Sequence, residues 1–159
     1  MMAEAPSPDA AVSSDTLAPV SPPFRHRMRV RYSECDLQGV VFNAHYLAYA
    51  DDAITELWRA AVAGGYQAMV AAGTDMVVAE AQLRFHSPAR FDDELALEAT
   101  VTRLGNTSMT TVLRMLRDTD LLVEVQMRHV FVDTGGSGKC PIPEPVLSGL
   151  APHLAAEGA

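Results

Sequence analysis

The stretch that decides the fold is "RYSECDLQGVVFNAHYLAYADDAITELW", Arg31 to Trp58. Upstream of it, His26, Met28, Val30 and Tyr32 alternate with Arg27, Arg29 and Arg31, a period of two that predicts a strand with one buried face. "SECDLQGVVFN" then reads as a loop. From about Asn43 to Ala61 the period changes. Tyr46, Tyr49 or Ala50, Ala53, Ile54, Leu57, Trp58 and Ala61 fall on one helical stripe, with Asp51, Asp52, Thr55, Glu56 and Arg59 largely opposite. Gly64 and Gly65 end the helix, as glycine often does, and "YQAMVAAG" supplies a further short helical turn.

The rest of the chain is strand-like. "MVVAEAQLRFH" (Met76 to His86) is one long segment, and "SPARFDD" is a turn in which Pro88 cannot donate a ladder bond. "ELALEATVTRL" (Glu94 to Leu104) alternates cleanly. Gly105-Asn106 signals a hairpin into "TSMTTVLRMLR" (Thr107 to Arg117), and Asp118 to Asp120 turn the chain into "LLVEVQMRHVFVD" (Leu121 to Asp133). A short helix is expected within "PIPEPVLSGLAPHL". A strand, a long apolar helix and four meander-like strands pack most compactly as one α+β domain, an antiparallel sheet wrapped around the helix. The open edge of the last strand invites pairing with a second copy, so a homodimer or tetramer is expected.

Length and composition agree. The 159 residues suit one domain, and 48% of them are apolar. Residues 1–23, rich in Ala, Pro, Ser and Asp, read as a disordered tail, residues 24–143 as the folded domain, and 144–159 as a short helix and tail. No apolar run approaches the ~20 residues of a membrane span. The N-terminus has neither the basic start nor the apolar run of a secretory signal. Cys35 and Cys140 fit neither a disulfide framework nor a metal site, so a reduced, cytoplasmic setting is expected. A formal charge of -8 argues against nucleic acid as a partner. Eleven of the twelve basic residues are Arg, several of them in "RHRMRVR".

The segment "YSECDLQGVVFNAHYLAYADDA" resembles the opening motif of the 4-hydroxybenzoyl-CoA thioesterase family, acyl-CoA thioesterases of the hot-dog fold. The residues that carry the resemblance are Tyr32, Asp36, Gly39-Val40-Val41, Phe42, Asn43, Tyr46, Asp51 and Ala53. "RFHSPARFDDELALEATV" and "VFVDTGGSGKCPIP" match later family segments in the right order, so the resemblance spans about Arg25 to Pro143. Some members carry His where this chain has Asn43, with His45 two residues on, and the acid at Asp51 is often Glu.

The resemblance implies hydrolysis of an acyl-CoA to a carboxylic acid and free CoA, with no metal and no cofactor beyond the CoA of the substrate. Asp36 is the candidate general base or nucleophile, and desolvation beside the apolar run would make it the stronger base. Asn43 opens the helix, where free N–H groups and the dipole favour an oxyanion. His45 is the third catalytic candidate. Gly39 permits close backbone approach. Tyr32, Val41 and Tyr46 are expected to line the substrate, although Tyr32 and Tyr46 also read as core, and Arg84 and Arg90 to meet its phosphates. Tyr49 and Trp58 are further pocket candidates. Asp51 is either an active-site acid or solvated, and Glu34 reads as a solvated loop acid. Two alternatives stay open: a thioesterase for carrier-protein-bound acyl chains, and a non-catalytic acyl-CoA-binding protein.

Overall fold

A computed structural model describes residues 23–156. The predicted tail falls almost entirely outside that range. Strand β1 (Phe24–Arg29) leads through a 3-10 turn (Tyr32–Glu34) to helix α1 (Ala44–Ala61) and the short α2 (Gly65–Ala71). Strands β2 (Thr74–Phe85), β3 (Glu94–Leu104), β4 (Ser108–Arg117) and β5 (Asp120–Asp133) follow, then α3 (Glu144–Leu150). The five strands form one antiparallel sheet in the order β1-β3-β4-β5-β2. This is the expected hot-dog architecture, with α1 lying on the sheet.

The stripe read from the sequence is the face α1 buries. Tyr46, Tyr49, Ala50, Ala53, Ile54, Leu57 and Trp58 are all buried, against sheet residues such as Leu95, Leu97, Leu113, Met115, Val125 and Phe131. Trp58 stacks on Phe131 with ring centroids 6.4 Å apart. Each large side chain so buried contributes about 1.5–3 kcal/mol before ordering costs. The helix ends where Val62 turns extended and Gly64 and Gly65 take φ of 77° and 66°. The terminal helix α3 joins the same core through Val146 and Leu150.

Three expectations need correction. The first strand stops at Arg29, and Tyr32 sits on the 3-10 turn, 81% exposed, instead of in the core. The four later strands are not one meander. β2 pairs with β5 along nearly its whole length, and only β3-β4-β5 run as consecutive hairpins. The connection Ser87 to Asp93 accounts for this. Its backbone bonds go to the start of the chain, Val30 N–H to Asp93 O at 2.9 Å and Val41 N–H to Ala89 O at 2.8 Å, so β3 begins beside β1 and not beside β2. The last strand is therefore interior, and the open edge next to it belongs to β2, where Val77 and Val78 are each 48% exposed.

Candidate active site

The loop that carries Asp36 is closed by its own backbone. Asp36 N–H donates to Val40 O and Gly39 N–H to Asp36 O, both at 2.9 Å, while Gln38 N–H donates to the Asp36 carboxylate at 2.8 Å. Gly39 has φ of 75°, a left-handed conformation that glycine adopts without strain. Bridges from Cys35 to Val41 and from Val40 to Arg90 anchor the loop on both sides. Phe42 N–H donates to Glu34 O at 2.9 Å, so the two stems of the loop are tied together just before α1 begins.

Asn43 occupies the N-cap position of α1, already in helical conformation and with no side-chain cap bond. Among the described residues its backbone N–H has no hydrogen-bond partner. That leaves a free donor at the positive end of an 18-residue helix. His45 is half-buried, with its ring edge-on to Phe42 at 6.2 Å.

The other candidates divide by position. Tyr32, Asp36 and Gly39 share an open hollow of about 570 Å³ with Cys35, Leu37 and Phe91. The ring of Tyr32 packs edge-on to Phe91 at 5.8 Å. Asp36 is exposed in the single chain, so the desolvation expected for it is not present there. Val41 and Tyr46 are core residues. The Tyr46 hydroxyl accepts from Ala89 N–H at 3.0 Å, and burial raises its pKa. Arg90 stands exposed beside the Asp36 loop, its N–H held by Asp93 Oδ2 at 2.8 Å. Arg84 lies near the end of β2 opposite Glu124, in a separate shallow depression.

The arginines of "RHRMRVR" are not a free basic patch. Arg25 pairs with Glu98, Arg27 and Arg29 with Glu94, and Arg31 with Glu34. Among the described residues no three His, Cys, Asp or Glu side chains gather as a metal site, and no helix is long and apolar enough to cross a membrane.

Two features escaped the sequence reading. Glu34 is not solvated: it is 8% exposed and accepts from Tyr49 Oη at 2.7 Å and Arg31 N–H at 2.8 Å. His129 is buried in β5 and held neutral, its pKa lowered to about 4 by desolvation. The signal for His129 was available, since Val123, Val125, Met127 and Phe131 set a period of two that points it inward.

Known proteins share this sequence pattern and this fold. Residues 30–150 match the model of the thioesterase-like superfamily. The acyl-CoA thioester hydrolase YbgC of Escherichia coli O6:H1 is 33% identical over 111 residues, which cover 69% of this chain and 82% of the relative. A hypothetical protein, TT1821, from Thermus thermophilus superposes with a TM-score of 0.74 at 29% identity, over 81% of this chain and 98% of that one. A hypothetical protein, AQ1494, from Aquifex aeolicus superposes with a TM-score of 0.76 at 25% identity, over 80% and 99%. The chain thus belongs to the thioesterase-like superfamily.

Proposed function

We propose that this protein hydrolyses an acyl-CoA thioester to a carboxylic acid and free CoA, with Asp36 and the helix end at Asn43 as the working groups. Superfamily membership and the identity to an acyl-CoA thioester hydrolase make the chain a thioester hydrolase. The finer reading rests on one observation: an N–H at the start of α1 with no partner among the described residues, tied through Phe42 and Glu34 to the loop that presents the exposed Asp36 carboxylate. The resemblance of the Asp36 segment to the 4-hydroxybenzoyl-CoA thioesterase family supports the same pairing.

Asp36 acts on a water as general base or attacks the carbonyl carbon itself. In the first route the water oxygen bonds to that carbon while Asp36 takes its proton. The carbonyl oxygen, now anionic, accepts from Asn43 N–H. The C–S bond then breaks and the thiolate of CoA leaves, taking up a proton. One donor of this kind is worth about 3–4 kcal/mol of barrier. His45, in the first turn of the same helix, assists at the carbonyl or the leaving group. Arg90, exposed beside the loop, meets the phosphates of CoA, with Arg84 as a second contact. We also read the protein as a homodimer that pairs the β2 edges.

The test is release of free thiol from a panel of acyl-CoAs by the wild type and by Asp36→Asn. We expect turnover on part of the panel and a 10²- to 10⁴-fold drop in the variant, the usual worth of a positioned acid or base, with an unchanged melting temperature. Wild-type turnover that Asp36→Asn retains would overturn the assignment of Asp36.

A further inference from the structure

Arg90 to Asp93 form a tight turn beside the Asp36 loop. Asp93 N–H donates to Arg90 O at 3.1 Å, and Arg90 N–H donates to Asp93 Oδ2 at 2.8 Å. The flanks of the turn are fixed from the start of the chain and from α1. Val30 N–H donates to Asp93 O at 2.9 Å and Asp92 N–H to Val30 O at 3.1 Å. Ala89 N–H donates to Tyr46 Oη at 3.0 Å, and Val41 N–H to Ala89 O at 2.8 Å. Asp92 has φ of 67°, a left-handed conformation that a residue with a Cβ keeps only where its surroundings hold it.

One further tie comes from another element. Arg117, the last residue of β4, donates from Nη1 to Asp93 Oδ2 at 2.7 Å and to Pro88 O at 3.4 Å. The side chains of Arg117 and Asp93 are 30% and 20% exposed, so water screens this pair less than it screens an open surface pair. The single oxygen Asp93 Oδ2 therefore accepts both the guanidinium and the Arg90 N–H, and charge-assisted bonds of this kind are the strong ones. Two side chains of the turn stand where a substrate would pass. Phe91 lines the Asp36 hollow and packs on Tyr32, and Arg90 is exposed beside the Asp36 loop. An exposed arginine loses conformational freedom when it binds, and a backbone already fixed leaves less to lose. The bonds to Val30, Val41 and Tyr46 hold Ala89, Asp92 and Asp93, whereas the Arg90 N–H is held by the carboxylate that Arg117 anchors.

We infer that Arg117, acting through the Asp93 carboxylate, is a positioning residue for substrate binding, one that fixes Arg90 on the turn beside the Asp36 hollow before CoA arrives. The inference rests on the proposed acyl-CoA reading, in which Arg90 meets the phosphates of CoA. Arg117 itself touches neither the phosphates nor the reacting carbonyl in that arrangement. Its loss should weaken the hold on CoA and leave the chemical step alone.

The test is a double-mutant cycle read by calorimetry, with free CoA titrated into the full chain. Arg90→Ala is expected to weaken binding about tenfold, the scale of one charged hydrogen bond. Arg117→Met, which keeps the aliphatic stem and removes the donors, should weaken it roughly fivefold, and the double variant should bind no worse than Arg90→Ala alone. Asp93→Asn cuts the same link from its other end and is expected to give the same loss, so the cycle stands even where Arg117→Met fails to fold. On any acyl-CoA that the protein turns over, Arg117→Met should raise KM and keep kcat, a split that a general loosening of the fold would not give. Losses that add in the double variant, or CoA affinity that neither Arg117→Met nor Asp93→Asn changes, overturn the inference. So does a wild type that binds CoA no better than Arg90→Ala does. Thiol release is measured separately: its failure on every acyl-CoA overturns the hydrolytic reading and leaves the binding cycle to decide the role of Arg117.

Discussion

Tyr49 donates its hydroxyl proton to Glu34 Oε2 at 2.7 Å, and both residues are buried, at 4% and 8% exposure. The same carboxylate oxygen accepts from Arg31 N–H at 2.8 Å, and the Glu34 carbonyl accepts from Phe42 N–H. One acid thus joins the 3-10 turn, the second turn of α1 and the segment that enters the helix. The Asp36 loop hangs between its two stems. Burial first, and the neighbouring carboxylate second, raise the Tyr49 pKa, so the phenol stays protonated and remains a donor.

Tyr49→Phe should therefore act on stability and turnover together. It leaves a buried carboxylate short of one donor, at a cost of about 1–3 kcal/mol. The loop and the helix end are then less well fixed, and a displacement near 1 Å can cost about 10²-fold in rate. We expect a tenfold to hundredfold loss that falls on kcat more than on KM, read beside a urea titration. A variant that is destabilised yet keeps its full kcat would show that the Glu34–Tyr49 pair is structural only.

Gly149 marks the contact of α3 with α1. A Cβ at that position would lie 2.1 Å from Ala61 O and 2.9 Å from Ala61 C. The obstacle is backbone, which cannot rotate aside, so the helices must separate. Gly149→Ala is expected to cost about 2 kcal/mol or more and to lower Tm by roughly 4–8 °C. A melting curve that matches the wild type would mean that α3 docks less tightly than the structure describes.

Much of this was legible in the sequence, for reasons that can be named. The α1 stripe was, because apolar residues at helical spacing admit one buried face: its members from Tyr46 to Trp58 are buried, and Ala61, in the last turn, is half-buried. The alternation in Glu94 to Leu104 gave β3 to the residue. Strand order was not legible. Nothing local in "SPARFDD" says that its backbone bonds go to Val30 and Val41 and not into a tight hairpin. Glu34 was misread for a similar reason: its buried state depends on Tyr49, fifteen residues away and on a different element. Asp36 and Asn43 were put forward through the family pattern, whereas the burial of His129 required following the strand period to its end.

The β2 edge yields a prediction on assembly. Val77 and Val78 are each 48% exposed and Phe85 55% on a strand whose outer side has no neighbour in the sheet. A long, apolar open edge invites a second copy, and charge on an edge strand blocks such pairing. We expect a dimer in sedimentation velocity for the wild type, and a shift toward monomer for the double variant Val77→Lys, Val78→Lys. Thiol release should fall with it if the exposed hollow around Asp36 is completed by the partner. A wild type that sediments as a monomer at micromolar concentration would refute the edge-pairing proposal.

His129 makes the fold sensitive to acid. Its imidazole titrates near 4 in the folded chain because burial penalises the charged form, against an ordinary value of 6.5. Between those two values the unfolded chain binds a proton that the folded chain does not. Stability from this residue is thus complete above about pH 6.5, declines as pH falls through the window, and is exhausted near pH 4. A shift of this size corresponds to about 3 kcal/mol across the window. His129→Gln has no proton to bind, so its unfolding free energy should fall less steeply between pH 6.5 and pH 4 than that of the wild type. Urea titrations at half-unit pH intervals measure the difference. Every other ionisable group is common to the two proteins, so only the contribution of position 129 survives when the two slopes are subtracted. Parallel slopes would mean that His129 takes up its proton in the folded state as readily as in the unfolded one, which its burial and its sealed Nδ1, without a partner among the described residues, argue against.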